Sequence, residues 1–145
     1  MIGLCLAVAT SVVASLPIEQ FTLRWIHSIE RIEWEEDWRI DALARELVLV
    51  ESRVRGSGAG MEPPDDAVLR NGVWHAPGRI QVRLLQLAAS AYTSDWQLCV
   101  GGRCEPLMSR AGTAPQAAER SGGPTIGTAH APITLLPCRI PTGRG

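Results

Sequence analysis

A glutamate on an otherwise apolar strand face is the residue of this sequence with the clearest capacity for chemistry. Over 32–40 the even positions are Ile32, Trp34, Glu36, Trp38 and Ile40, whereas Glu33, Glu35, Asp37 and Arg39 between them are all charged. That period of two is the period of a strand, and it turns Glu36 inward. A carboxylate in such a place has to be protonated, hydrogen-bonded or paired, since leaving it bare costs on the order of several kcal/mol. Upstream, Phe21, Leu23, Trp25 and His27 share one strand face, and Ser28 follows directly. Downstream, Gly56-Ser57-Gly58-Ala59-Gly60-Met61 forms a glycine-rich loop ahead of Pro63-Pro64.

Three chemistries are open to these groups. A metal site from His27, Glu30 and Glu36, with Glu35 as a further candidate, has suitable ligand types, but His27 and Glu30 fall on opposite faces of a strand and a second histidine would have to come from His75. No metal and no cofactor is expected. Nucleophilic catalysis by Ser28 or Ser57 would call for a base within reach and an oxyanion hole, and Ser57 invites comparison with Gly-x-Ser-x-Gly at a strand-to-helix elbow. Here the serine is one place off that pattern, and the two prolines deny a following helix. Phosphate cradling by the same loop lacks both the Gly-Lys-Ser/Thr ending and a dinucleotide fingerprint. The sequence contains no complete catalytic signature, and a close backbone approach beside the core accounts for the glycines.

The elements that position these groups read as strands. Segments 4–8 and 12–16 form a strand pair turning at Ala9-Thr10-Ser11, followed by the runs ending at His27 and beginning at Ile32. A third long strand passes from Leu47 through Val54; its alternative is a helix over 41–50, where Asp41-Ala42-Leu43-Ala44-Arg45-Glu46-Leu47 holds good helix formers. Asn71-Gly72 between apolar runs is a strong hairpin signal. Ile80, Val82 and Leu84 alternate with polar residues as one strand, and Trp96, Leu98 and Val100 as another. The fold expected is mainly β, a small antiparallel sandwich or open barrel with at most one short helix. Residues 1–108 make a single domain. Residues 109–145, rich in Ala, Gly, Pro, Ser and Thr, make a poorly ordered tail in which only 133–136 could pack, so Cys138 and His130 are left out of the site.

Composition narrows the partners. Apolar residues at 46% and a net charge of −1 suit one globular domain. All 14 basic residues are arginine, yet they are scattered among acids, so no nucleic-acid surface is expected. The apolar N-terminus lacks the leading basic residue of a secretory signal and is too short to span a bilayer; a signal cleaved near Ala14-Ser15 is the alternative to the strand pair. The domain is not expected to be integral to a membrane, and its compartment stays open. In Cys99-Val100-Gly101-Gly102-Arg103-Cys104 a Gly-Gly turn would set the two cysteines opposite each other, where they either form a disulfide or, in a reducing compartment, remain thiols.

With His27-Ser28-Ile29, Glu36-Asp37-Trp38-Arg39-Ile40 and Gly58-Ala59-Gly60-Met61 in this order, the chain resembles the bacterial domain-of-unknown-function 1850 family. Its members show a strand ending in His-Ser-Val/Ile, a later glutamate ahead of an aromatic-x-aliphatic step, and a Gly-Ala-Gly-Met/Leu loop near a proline. The runs 92–99 and 103–107 are similar to the close of proteobacterial members, so the resemblance covers 4–107. It implies a context: such genes often lie beside TAXI-type TRAP transporter components, a fused permease working with a periplasmic solute receptor. The function expected is therefore a non-enzymatic accessory or ligand-binding domain for uptake of a small solute, with permease or receptor as partner. His27, Ser28, Glu36, Gly58, Ala59 and Gly60 are its candidate ligand-binding residues. One alternative is a hydrolase or metal-dependent enzyme acting on the imported solute. The other is a polar core with no ligand.

Overall fold

Alternating inward and outward side chains build most of the long elements of the structure, a computed structural model that describes residues 1–26, 32–55, 65–87, 96–107 and 132–141. Twelve strands follow in chain order: β1 (Ile2–Val8), β2 (Ser11–Leu16), β3 (Gln20–Ile26), β4 (Glu33–Asp41), β5 (Glu46–Arg55), β6 (Val68–Arg70), β7 (Val73–Pro77), β8 (Gln81–Val82), β9 (Leu85–Leu87), β10 (Gln97–Val100), β11 (Arg103–Pro106) and β12 (Ile133–Arg139). They form two antiparallel sheets, a smaller one ordered β2-β1-β12-β9 and a larger one ordered β11-β10-β3-β4-β5-β7-β6 with β8 beside β5. Neither closes into a barrel. The sheets share one core, in which Leu4, Leu6, Leu87, Ile133 and Leu135 of the smaller sheet meet Phe21, Leu23, Trp38, Ile40, Leu47, Leu49 and Leu98 of the larger.

The strand pair 4–8 and 12–16 is present as β1 and β2, and Leu4 and Leu6 are fully buried. Cleavage near Ala14-Ser15 would remove both from the core. The strand reading of 46–55 holds over the helix. Asp41 closes β4, its Oδ1 accepts hydrogen bonds from the Leu43 and Ala44 amides at 3.1 Å each, and Arg45 turns the chain at φ 55°. The helix fails because Leu43 is 99% exposed while Leu47 is fully buried against the smaller sheet. The Asn71-Gly72 and Gly101-Gly102 turns both have positive φ at both central residues, as the primed hairpin turns need.

Two sequence expectations are corrected. The single strand expected around Ile80, Val82 and Leu84 is two short pieces in different sheets: β8 pairs with β5, and β9 pairs with β12. Ile80 and Leu84 are nearly half exposed, at 46% and 47%, because the chain crosses between the sheets there. The crossing depends on a bulge, since β5 sets Glu51 opposite Asp37 and Leu49 opposite Trp38, leaving Val50 unpaired. The Val50 carbonyl accepts from the Gly78 amide at 2.8 Å, and a Cβ on Gly78 would stand 1.8 Å from the Leu49 carbonyl oxygen.

The second correction lies within 109–145, where Ile133–Arg139 is an ordered strand between β1 and β9. Ile133, Leu135 and Pro137 face inward in period two. Pro137, which has no N–H to donate, sits past the end of β9, where β12 has a neighbour on one side only. The polar composition of the residues before it masks this strand. Cys138, set aside with that segment, is disulfide-bonded to Cys5 of β1, 133 positions away.

Candidate functional site

Glu36 sits in the middle of the larger sheet, opposite Leu23 of β3 on one side and Ser52 of β5 on the other. Residues directly opposite in an antiparallel sheet project to the same face. Its transverse row is therefore Leu98, Leu23, Glu36, Ser52 and Ala76, and Leu98, Leu23 and Ala76 are buried. Glu36 itself is half-buried and, among the described residues, makes no hydrogen bond or ion pair. Burial pushes its carboxyl above the usual glutamate value.

The next row carries tryptophan. Trp25 faces Trp34, Trp34 faces Val54, Val54 faces Trp74, and Trp74 faces Leu69. Trp96, just before β10, joins the other end, its ring 4.3 Å from that of Trp25. Trp25 and Trp34 stack at 5.5 Å with an interplanar angle of 8°. Four of the five tryptophans thus lie in one row beside Glu36. The core shared by the two sheets includes Leu23 and Trp38, but not Trp25, Trp34 or Trp74. Glu36 marks the boundary: β4 is packed under the smaller sheet at Trp38 and Ile40, and at Trp34 it presents a half-buried indole.

The opposite face has a different electrostatic character. Arg53 of β5 holds Asp37 with two hydrogen bonds, Nη1 to Oδ2 at 2.6 Å and Nη2 to Oδ1 at 2.8 Å, and also bonds Glu35 at 3.0 Å and Glu51 at 2.9 Å. Thr22 donates to Asp37 at 2.7 Å, His75 Nδ1 lies 3.0 Å from Glu51, and Arg24 pairs with Glu33 at 2.6 Å. The Arg53 hydrogen bonds, reinforced by Thr22, hold Asp37 below its usual value against the opposing effect of its burial. The guanidinium of Arg53 is pushed further up by the same contacts. A shallow cleft of about 350 Å³ lies here, lined by Glu33, Glu35, Arg53, Arg55, Arg70 and His75 among others. On this face Glu33, Glu35 and Asp37 of β4 each have an arginine partner, whereas Glu36, the carboxylate of β4 on the inner face, has none among the described residues.

Of the residues singled out from the sequence, Glu36, Cys99 and Cys104 are described; His27, Ser28, Gly58, Ala59 and Gly60 lie outside the described residues. What the structure places is where their segments begin. The chain leaves β3 after Ile26 and β5 after Arg55 at the same end of the sheet, both residues being paired with Glu33. That is the end that carries the tryptophan row. Cys99 and Cys104 are joined by a disulfide across the β10–β11 hairpin, on the outer face with Thr22, and so are not part of the Glu36 surroundings. No group of three metal-ligating side chains occurs among the described residues. Sequence reasoning missed the tryptophan row and the Arg53 network. The parity of Trp34 and Glu36 was visible, but the cross-strand register that brings Trp25, Trp74 and Trp96 to them was not.

No curated protein and no solved structure matches this chain. A family model does match, over residues 21–107, more than half of the chain. The matched span contains the larger sheet but for Gln20 at the start of β3, with Glu36, the tryptophan row and the Arg53 network; of the smaller sheet it contains β9 alone, leaving β1, β2 and β12 outside it. The chain belongs to the family of domains of unknown function DUF1850.

Proposed function

We propose that this protein is a non-enzymatic ligand-binding accessory domain for uptake of a small solute, and that the inner-face end of the larger sheet, around Glu36 and the tryptophan row, is where the solute binds. The observation that carries this reading is the contrast between the two faces. Arg53 and Arg24 neutralise the outer carboxylates, while Glu36 stands half-buried without a partner beside half-buried aromatic rings. A carboxylate held against a desolvation cost is a common mark of a site that meets its partner from solution. The family context described above supports a TAXI-type TRAP system as the transport partner, by association and not by chemistry. Two disulfides, Cys5–Cys138 and Cys99–Cys104, suit an oxidising compartment, the one in which the solute receptor of such a system works.

The test is genetic and quantitative. Uptake of the transporter's labelled solute is measured in a clean deletion strain complemented with wild type or with Glu36→Gln. The reading expects impaired uptake in the deletion, restored by wild type and not by the variant. Uptake unchanged by the deletion would sink it.

A further inference from the structure

We propose that the Glu36 site takes an organic cation, an alkylammonium or comparable onium group carried on a small apolar body. The inference rests on the reading that this face binds a solute, and adds the charge and shape of that solute.

Charge complementarity is the first argument. On β3, β4 and β5, strand parity sends Arg24, Arg39, Arg53 and Arg55 to the outer face, where Arg24 and Arg53 are paired with carboxylates. The inner face of the same three strands carries Glu36 and no basic residue among those described. A half-buried carboxylate with no cation supplied by its own strand or by the two strands beside it is matched by a cation that arrives with the ligand.

The surroundings supply the second argument. Trp34 is two positions from Glu36 on the same strand face, roughly 7 Å along the strand by the usual rise. Trp25 lies diagonally across from Glu36 and Trp74 lies beyond Val54. Indole faces attract cations through the ring quadrupole when the charge lies within about 6 Å of the ring centroid, and quaternary ammonium groups are recognised by aromatic side chains in this way. A carboxylate flanked by a row of indoles therefore offers an onium group an ion pair and cation–π contacts together, and the same rings cover the apolar remainder of the ligand. Neutral apolar ligands would leave Glu36 desolvated and unpaired; anionic ones would be repelled.

The experiment uses the full oxidised chain and follows intrinsic tryptophan fluorescence, with calorimetry as an independent readout. The probes are benzyltrimethylammonium, benzyl alcohol and phenylacetate, which share an aromatic body and differ in charge. The cation should bind and perturb the fluorescence, and the other two should bind at least tenfold more weakly. Glu36→Gln should weaken cation binding at least tenfold, and Trp34→Leu should weaken it as well. Matched circular dichroism and unfolding midpoints show that the variants are folded, and Glu36→Asp, which keeps the charge, should retain part of the affinity. Equal or tighter binding of benzyl alcohol or phenylacetate, or cation binding indifferent to Glu36→Gln, would overturn the cation assignment and leave the solute-binding reading in place. Absence of any cation response overturns the assignment too; if Glu36→Gln also restores uptake like wild type, the placement of the site at Glu36 falls with it.

Discussion

Removing the Cys5–Cys138 bridge should destabilise the domain more than removing Cys99–Cys104, and the structure sets the size of the difference. The first bridge joins residues 133 positions apart and the second joins residues 5 apart. In the loop-entropy description of a cross-link, the long closure is worth about 5 kcal/mol and the short one about 2 kcal/mol. Domains of this kind have total stabilities of roughly 5–15 kcal/mol, so loss of the long bridge consumes a large part of it. Packing adds to the asymmetry: β1 and β12 place Leu4, Leu6 and Leu135 in the core with no exposure, whereas Cys104 is exposed at the edge of the larger sheet. The assay is guanidinium unfolding of Cys5→Ala/Cys138→Ala and of Cys99→Ala/Cys104→Ala, compared with wild type with and without reductant. Reduction of wild type keeps the sulfurs and removes only the covalent links, which separates the bridge from the loss of side-chain volume. The first variant should lose about 2–3 kcal/mol more than the second. Equal losses, or the reverse order, would refute the assignment of β12 as the strand that locks the smaller sheet.

The remaining predictions concern single side chains. Because burial raises the carboxyl of Glu36 in the folded state, its contribution is favourable in acid and is lost as pH rises through the folded value; Glu36→Gln should therefore stabilise the protein at neutral pH, by roughly 1 kcal/mol, with a gap that shrinks toward acid in pH-dependent denaturation curves. Asp37 has the opposite sign, since Arg53 lowers it: its contribution is present above the usual aspartate value and is lost as pH falls through the folded one. Arg53→Met should cost about 2 kcal/mol at pH 7 and less in acid, read from the same curves. Gly78→Ala would drive a Cβ to 1.8 Å from the Leu49 carbonyl oxygen and should cost about 2–3 kcal/mol in unfolding midpoint. Gly72→Ala meets no atom within 4 Å but sits at φ +77°, and should cost about 1 kcal/mol.

The larger sheet was largely legible in the sequence because its strands alternate cleanly and its turns are made by Asn-Gly and Gly-Gly, residues that the primed turns require. The smaller sheet was half legible: β1 and β2 are adjacent in sequence, but β9 has three residues and β12 follows a long stretch of Ala, Gly, Pro and Ser, so neither has a local signature strong enough to stand out. The Cys5–Cys138 bridge was hidden for the same reason, since a pairing over 133 positions leaves no spacing to read. In the site, strand parity located Glu36 but not its neighbours. Parity orders residues within a strand, whereas the tryptophan row depends on the register between four strands and on the Trp25–Trp96 contact.

The most direct measurement of the central claim is a carbon-detected NMR titration of the Glu36 side-chain carboxyl, with the indole N–H signals of Trp25, Trp34, Trp74 and Trp96 followed in the same samples. The account predicts a midpoint for Glu36 above the ordinary glutamate range, indole signals in its row that move with that midpoint, and loss of the movement in Glu36→Gln. A Glu36 midpoint at or below the ordinary value would mean that the carboxylate is solvated or already paired, and would contradict the account.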